Sequence, residues 1–101
     1  MGESELPTEE ELREALDRLS VGGMLTQMLP GIVSLGFHKI SAETRDLPQA
    51  RLAIEALRAL EPVLRDGGVE EPVVRDLEQA RTNLQLAYAK AVEEERDDQS
   101  S

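Results

Sequence analysis

The stretch VGGMLTQMLPGIVSLGFHKI, residues 21–40, decides how the rest of the chain is read. It contains no acidic residue, and its only Lys or Arg is Lys39. Apolar side chains at Met24, Leu25, Met28, Leu29, Ile32, Val33, Leu35 and Phe37 cover most of a helical circumference. A helix apolar nearly all round has to be buried, in its own core, in a partner or against lipid. The sequence places this helix at about 23–39, with Gly22 and Gly23 in the break before it. Pro30 removes a backbone donor and crowds the preceding turn, so a kink or break is expected near Thr26–Pro30, giving two short helical pieces.

Outside this stretch the chain is strongly charged, with 21 Asp plus Glu against 11 Lys plus Arg over 101 residues. The acidity sits at the ends. Residues 1–20 carry seven acids and two bases, residues 91–101 five and one, and residues 21–90 nine and eight. No dense Lys/Arg cluster offers itself to phosphate, so direct nucleic-acid binding is not expected. Only Phe37 and Tyr88 are aromatic, which makes the core aliphatic and better suited to helix packing than to a sandwich. Cysteine is absent, excluding disulfides and thiolate chemistry and fitting a cytoplasmic location. The acidic opening, MGESELPTEEE, has neither the basic flank nor the apolar run of a secretory signal.

Three further helices flank the central one. Thr8 and Glu11 match a capping box opening a helix at about 8–20, and Leu12, Ala15, Leu16 and Leu19 give it one apolar stripe. Ser20 to Gly23 reads as its end. Asp46 with Gln49 and an early Pro48 opens a helix at about 47–66, with Ala53, Leu57, Leu60 and Leu64 beside Ala50 and Ile54. Pro62 is expected to kink or separate its last turn, and Gly67-Gly68 stops it. The last helix, about 71–94, carries Val73, Leu77, Ala80, Leu84, Ala87 and Ala91 at alternating spacings of four and three, a bundle seam. A disordered lead over 1–7 and an acidic disordered tail over 93–101 complete a single domain at 8–92. The expected fold is an all-α bundle of about four helices, with the last two forming an antiparallel hairpin packed on the central helix and the first helix peripheral. Asp46–Arg51 and Asp76–Arg81 share DL-x-QAR, but the first opens a helix and the second lies within one, so the echo reads as coincidence.

Chemistry-bearing patterns are missing. His38 is the lone histidine and sits near a helix end, a position for capping rather than catalysis. The adjacent acids at 9–11 and 93–95 point in different directions and cannot form a cage, so neither a metal site nor a cofactor is expected. No serine stands in a nucleophile elbow. Arg51, Arg58 and Arg65 with Glu55 and Glu61 read as a salt-bridged solvent face. Tyr88 is expected to cover the core with its ring. A small-ligand pocket lined by Met24 and Met28 stays open.

The feature order from about Met24 to Val92 resembles a bacterial family, domain-of-unknown-function family 1844. The features are the Leu35-Gly36 pair ending an apolar helix, Asp46, Leu47, Ala50 and Arg51 at a helix start, then Ile54, Leu57, Leu60 and Glu61. The Gly67-Gly68 turn and a last helix with Tyr88 follow. Pro62 and the connector after the apolar helix depart from the family pattern. The resemblance implies a small cytoplasmic helical protein with no catalytic residues to transfer, and by association a translation-linked accessory role.

Together these features point to a non-catalytic protein–protein interaction module, a homo-oligomer (a dimer) joined through residues 21–40, with the further protein partner unidentified. The alternative is a membrane-surface protein using residues 21–37. The segment is short and interrupted for a transmembrane span, and it lacks the flanking bases that anionic lipid favours.

Overall fold

The computed structural model describes residues 6–100, the side chain of Ser100 excepted. Most of the expected disordered lead, residues 1–5, therefore lies outside the described residues, as does Ser101 of the expected tail. The fold is all-α, a small bundle built from α1 (Glu9–Arg18), α2 (Val21–Ile40), α3 (Leu47–Asp66) and α4 (Glu71–Ser100).

Local chemistry sets the helix ends. Thr8 Oγ1 accepts from the Glu11 N–H at 3.1 Å, and Glu9, Glu10 and Glu11 place negative charge at the positive end of α1. The Leu19 N–H closes α1 on the Leu16 carbonyl. Ser20, read from sequence as part of a helix terminus, instead opens α2: its Oγ accepts from the Gly23 N–H at 2.9 Å, so α2 begins at Val21 rather than Gly23. Glycine suits this position, because a Cβ on Gly23 would fall 2.9 Å from that same oxygen.

The expected break at Pro30 is absent, and α2 runs unbroken from Val21 to Ile40. Pro30 is exposed and, with Thr26, lines an open groove. The Thr26 carbonyl that loses its donor therefore lies toward an open groove rather than in the packed core. Likewise, α3 continues through the exposed Pro62 to Asp66 without a separated last turn. Gly68, the one described residue with positive φ (82°), then reverses the chain, with the Val69 N–H reaching the Leu64 carbonyl at 3.0 Å.

The core comprises Leu29 and Ile40 of α2, Ala50, Ile54, Leu57 and Leu64 of α3, and Val74, Leu77, Leu84 and Ala91 of α4. Cross-helix pairs give the chain directions. Glu61 meets Arg81 and Arg65 meets Glu78, so α4 runs against α3. Gly22 lies beside Val69 and Gly36 beside Ala53, so α3 runs against α2. α1 packs on none of the other three and has no buried residue.

Two expectations change at α4. Its buried stripe is rotated from the expected seam: Val74 is fully buried while Val73 and Ala80 lie at the margin, and Arg81 occupies an inward position between Leu77 and Leu84. The hydrophobic pattern hides this rotation, because it places a charged residue, Arg81, inside the stripe. Arg81 donates through Nε and Nη2 to the two carboxylate oxygens of Glu61, the latter at 3.0 Å, and through Nη1 to Gln85. Glu61 is only 7% exposed, so it belongs to the core edge and not to the solvent face assigned from sequence.

The acidic tail is the other change. Residues 93–100 are helical and extend α4 rather than being disordered. Arg45, in the α2–α3 connection, donates from Nε to the Ile40 carbonyl at 2.9 Å, and from its two terminal nitrogens to Glu95 (3.2 Å) and Glu94 (3.1 Å). One guanidinium thus closes the end of α2 and anchors the end of α4. Removing Arg81 would strand a buried carboxylate. Arg81→Ala is expected to destabilise the fold by about 2–3 kcal/mol, read by urea denaturation, with Glu61→Gln/Arg81→Met recovering part of the loss.

Candidate interaction surface on α2

Helical geometry, at 3.6 residues per turn, sorts α2 into one covered stripe and two shoulders. The stripe holds Leu29, Gly36 and Ile40, all buried, with Leu25, Ile32 and Val33 packed partly against it. Gly36 lies at a close approach of the helices: a Cβ there would fall 2.9 Å from Leu84 Cδ2 and 3.2 Å from the Ala53 Cβ. The eight residues marked from sequence as a candidate interface therefore divide. Leu29 is core, Leu25, Ile32 and Val33 are half-buried, and Met24, Met28, Leu35 and Phe37 are exposed.

The shoulder toward α3 carries Val21, Met24, Met28 and Leu35, at spacings of three or four with Gly31 between the last two. Met28 is 57% exposed and Leu35 55%. The surface continues onto α3 across a shallow groove of about 190 Å³ that includes Ile32, Leu35, Leu52, Ala53 and Ala56. Leu52 is 61% exposed, and Val63, further along the same side of α3, is also exposed. Sequence reasoning left out Leu52 and Val63 because both lie off the inward stripe of α3. The signal that could have found them is their shared offset, large apolar residues repeated on one flank of a helix whose opposite flank is charged.

The shoulder toward α4 is different. A groove of about 490 Å³ runs between the parallel helices α2 and α4, walled by Leu29, Pro30, Val33, Leu77 and Ala80, with Asp76 at its edge. Met24 and Met28, where the sequence leaves a small-ligand pocket open, do not line it. Phe37 lies further along this shoulder, one turn beyond Val33.

Electrostatically, α2 is nearly blank. Ionic contacts cluster elsewhere: the guanidinium groups of Arg45, Arg65 and Arg81 are each held above the ordinary arginine pKa, chiefly by hydrogen bonds to Glu94, Glu78 and Glu61 respectively. Charged at every working pH, they act as fixed braces. Among the described residues no group of three or more His, Asp or Glu side chains could hold a metal ion. The His38 side chain is exposed, while its carbonyl accepts from the Thr44 hydroxyl. No single described helix is long and apolar enough to cross a membrane, although α1 and α2 taken together, bent by 71°, reach that length and composition.

Comparison with protein-family models, with curated proteins and with solved structures finds no match.

The two faces of α2 make opposite demands on its glycines. Gly36→Ala is expected to destabilise by about 1–2 kcal/mol, because the fully buried Leu84 has little room to yield. Gly31, with open space around its Cβ position, should gain about 0.5–1 kcal/mol as alanine. Thermal denaturation of the two variants reads the opposite signs.

Proposed function

We propose that the chain is a non-catalytic helical interaction module that self-associates through the α3-side shoulder of α2. The observation that carries this reading is the continuity of exposed apolar side chains from Met24, Met28 and Leu35 on α2 to Leu52 and Val63 on α3. Single exposed leucines are ordinary on protein surfaces, whereas a contiguous apolar face spanning two helices marks an interaction surface.

Magnitudes favour a modest affinity. Full burial of one large aliphatic side chain is worth about 1.5–3 kcal/mol, and each of these is already part-buried. Five such part-buried side chains from each copy are of the same order as the association cost of roughly 4–15 kcal/mol, so a weak dimer is expected. Two copies, each at −10, also repel one another, so salt should strengthen the contact.

The bent α1–α2 pair favours a second reading, association with a membrane surface through residues 21–37. Against it stand the five acids of α1 and the lack of any base on α2 before His38 and Lys39.

Capture between two differently tagged copies tests the leading reading. The wild-type chain should capture itself at tens of micromolar. Met28→Asp and Leu35→Asp should each lower capture at least tenfold with an unchanged helical circular-dichroism spectrum. Capture insensitive to both substitutions would remove the α3-side shoulder as the contact.

A further inference from the structure

α1 is a finished helix with nothing to pack on. It is capped at Thr8 and closed at Leu19, yet Leu12, Leu16 and Leu19 are all exposed and no other helix touches it. A ten-residue helix is marginal by itself in water, so its leucines need a surface. The α2–α4 groove is the complementary vacancy, apolar along its walls with one carboxylate at its edge.

We propose that the α2–α4 groove receives α1 of a second copy, so that two chains exchange their N-terminal helices. This rests on the self-association reading but uses the opposite shoulder of α2. Length, charge and connection all favour it. Leu12 to Leu19 spans about 10 Å of helix, and Thr26 to Ser34, the part of α2 that walls the groove, about 12 Å. Arg13, three residues before Leu16 and on its flank, is the counterpart of Asp76; neither pairs with a charged side chain among the described residues. Glu10, Glu14 and Asp17 lie on the face of α1 away from the leucines, and stay in water when the stripe docks; Glu9, one turn before Arg13, shares the docking face at the first turn of the helix, beyond the Leu12–Leu19 span.

The connection selects a second copy over the same chain. Leu19 (φ −81°, ψ 148°) and Ser20 (φ −126°, ψ 149°) are both extended, and each closes a helix end by a hydrogen bond. They leave α1 and α2 bent by 71°. Folding α1 back into its own groove would require rerouting these two residues. Docking into a neighbour would keep both hydrogen bonds, and reciprocal exchange would close a two-fold dimer.

Charge reversal tests the exchange on the full chain by sedimentation velocity. Arg13→Glu and Asp76→Arg, both at exposed positions, should each weaken association about five- to tenfold. Combined in one chain, the two substitutions should restore it. An equimolar mixture of the two single variants should restore it as well, because each arm then meets an opposite charge in the other copy. Restoration in the double variant but not in the mixture would put α1 in its own groove and overturn the exchange. Single variants that associate like the wild type would overturn it too while leaving self-association standing. A wild-type chain that never associates would overturn both.

Discussion

A helix can be covered only from the directions in which it has neighbours, and α2 has neighbours on one stripe. Leu29, Gly36 and Ile40 are buried in it, and a Cβ at Gly36 would press on Leu84 and Ala53. The remaining circumference carries Gln27 and Ser34 but no charge between Val21 and Phe37, and it exposes Val21, Met24, Met28, Leu35 and Phe37. α1, the one element with an unused apolar stripe, is directed away. The mismatch between an apolar cylinder and three-helix packing is the physical origin of both surfaces assigned to interaction.

The polar contacts are what keep that mismatch from collapsing into a different arrangement. Arg81 with Glu61 ties α4 to α3 in the rotation that also buries Val74 and Leu84. Arg45 ties the end of α2 to Glu94 and Glu95, so the far turns of α4 are built into the body. Neither brace contributes much net stability by itself, since desolvation offsets most of the attraction. Their effect is to specify one geometry, in which a three-helix body presents two unlike shoulders: an open apolar face toward α3, and a groove with a carboxylate at its edge toward α4.

The all-α class and the caps at Thr8 and Asp46 were legible because they rest on local signals, side-chain oxygens facing backbone donors three residues on. Continuity through Pro30 and Pro62 was not legible, because a proline's cost depends on whether the orphaned carbonyl faces water, which is tertiary information. The same holds for α4. A seam read from Val73 and Ala80 ignores that a buried glutamate draws Arg81 inward, and the acidic tail looks unstructured until Arg45 is seen beneath it. At the candidate interface, composition marked α2 as a whole, while the division into core, margin and exposed residues depended on which way α3 and α4 approach. Leu52 and Val63 joined the surface only through that approach.

The central claim, that the uncovered part of α2 is closed by another copy of the chain, is tested most directly by sedimentation equilibrium of the unmodified protein. From low to high micromolar concentration, and at two salt concentrations, the account predicts a weight-average mass rising from 11.2 kDa toward twice that value, more readily at the higher salt. A mass that stays at 11.2 kDa up to several hundred micromolar would contradict it.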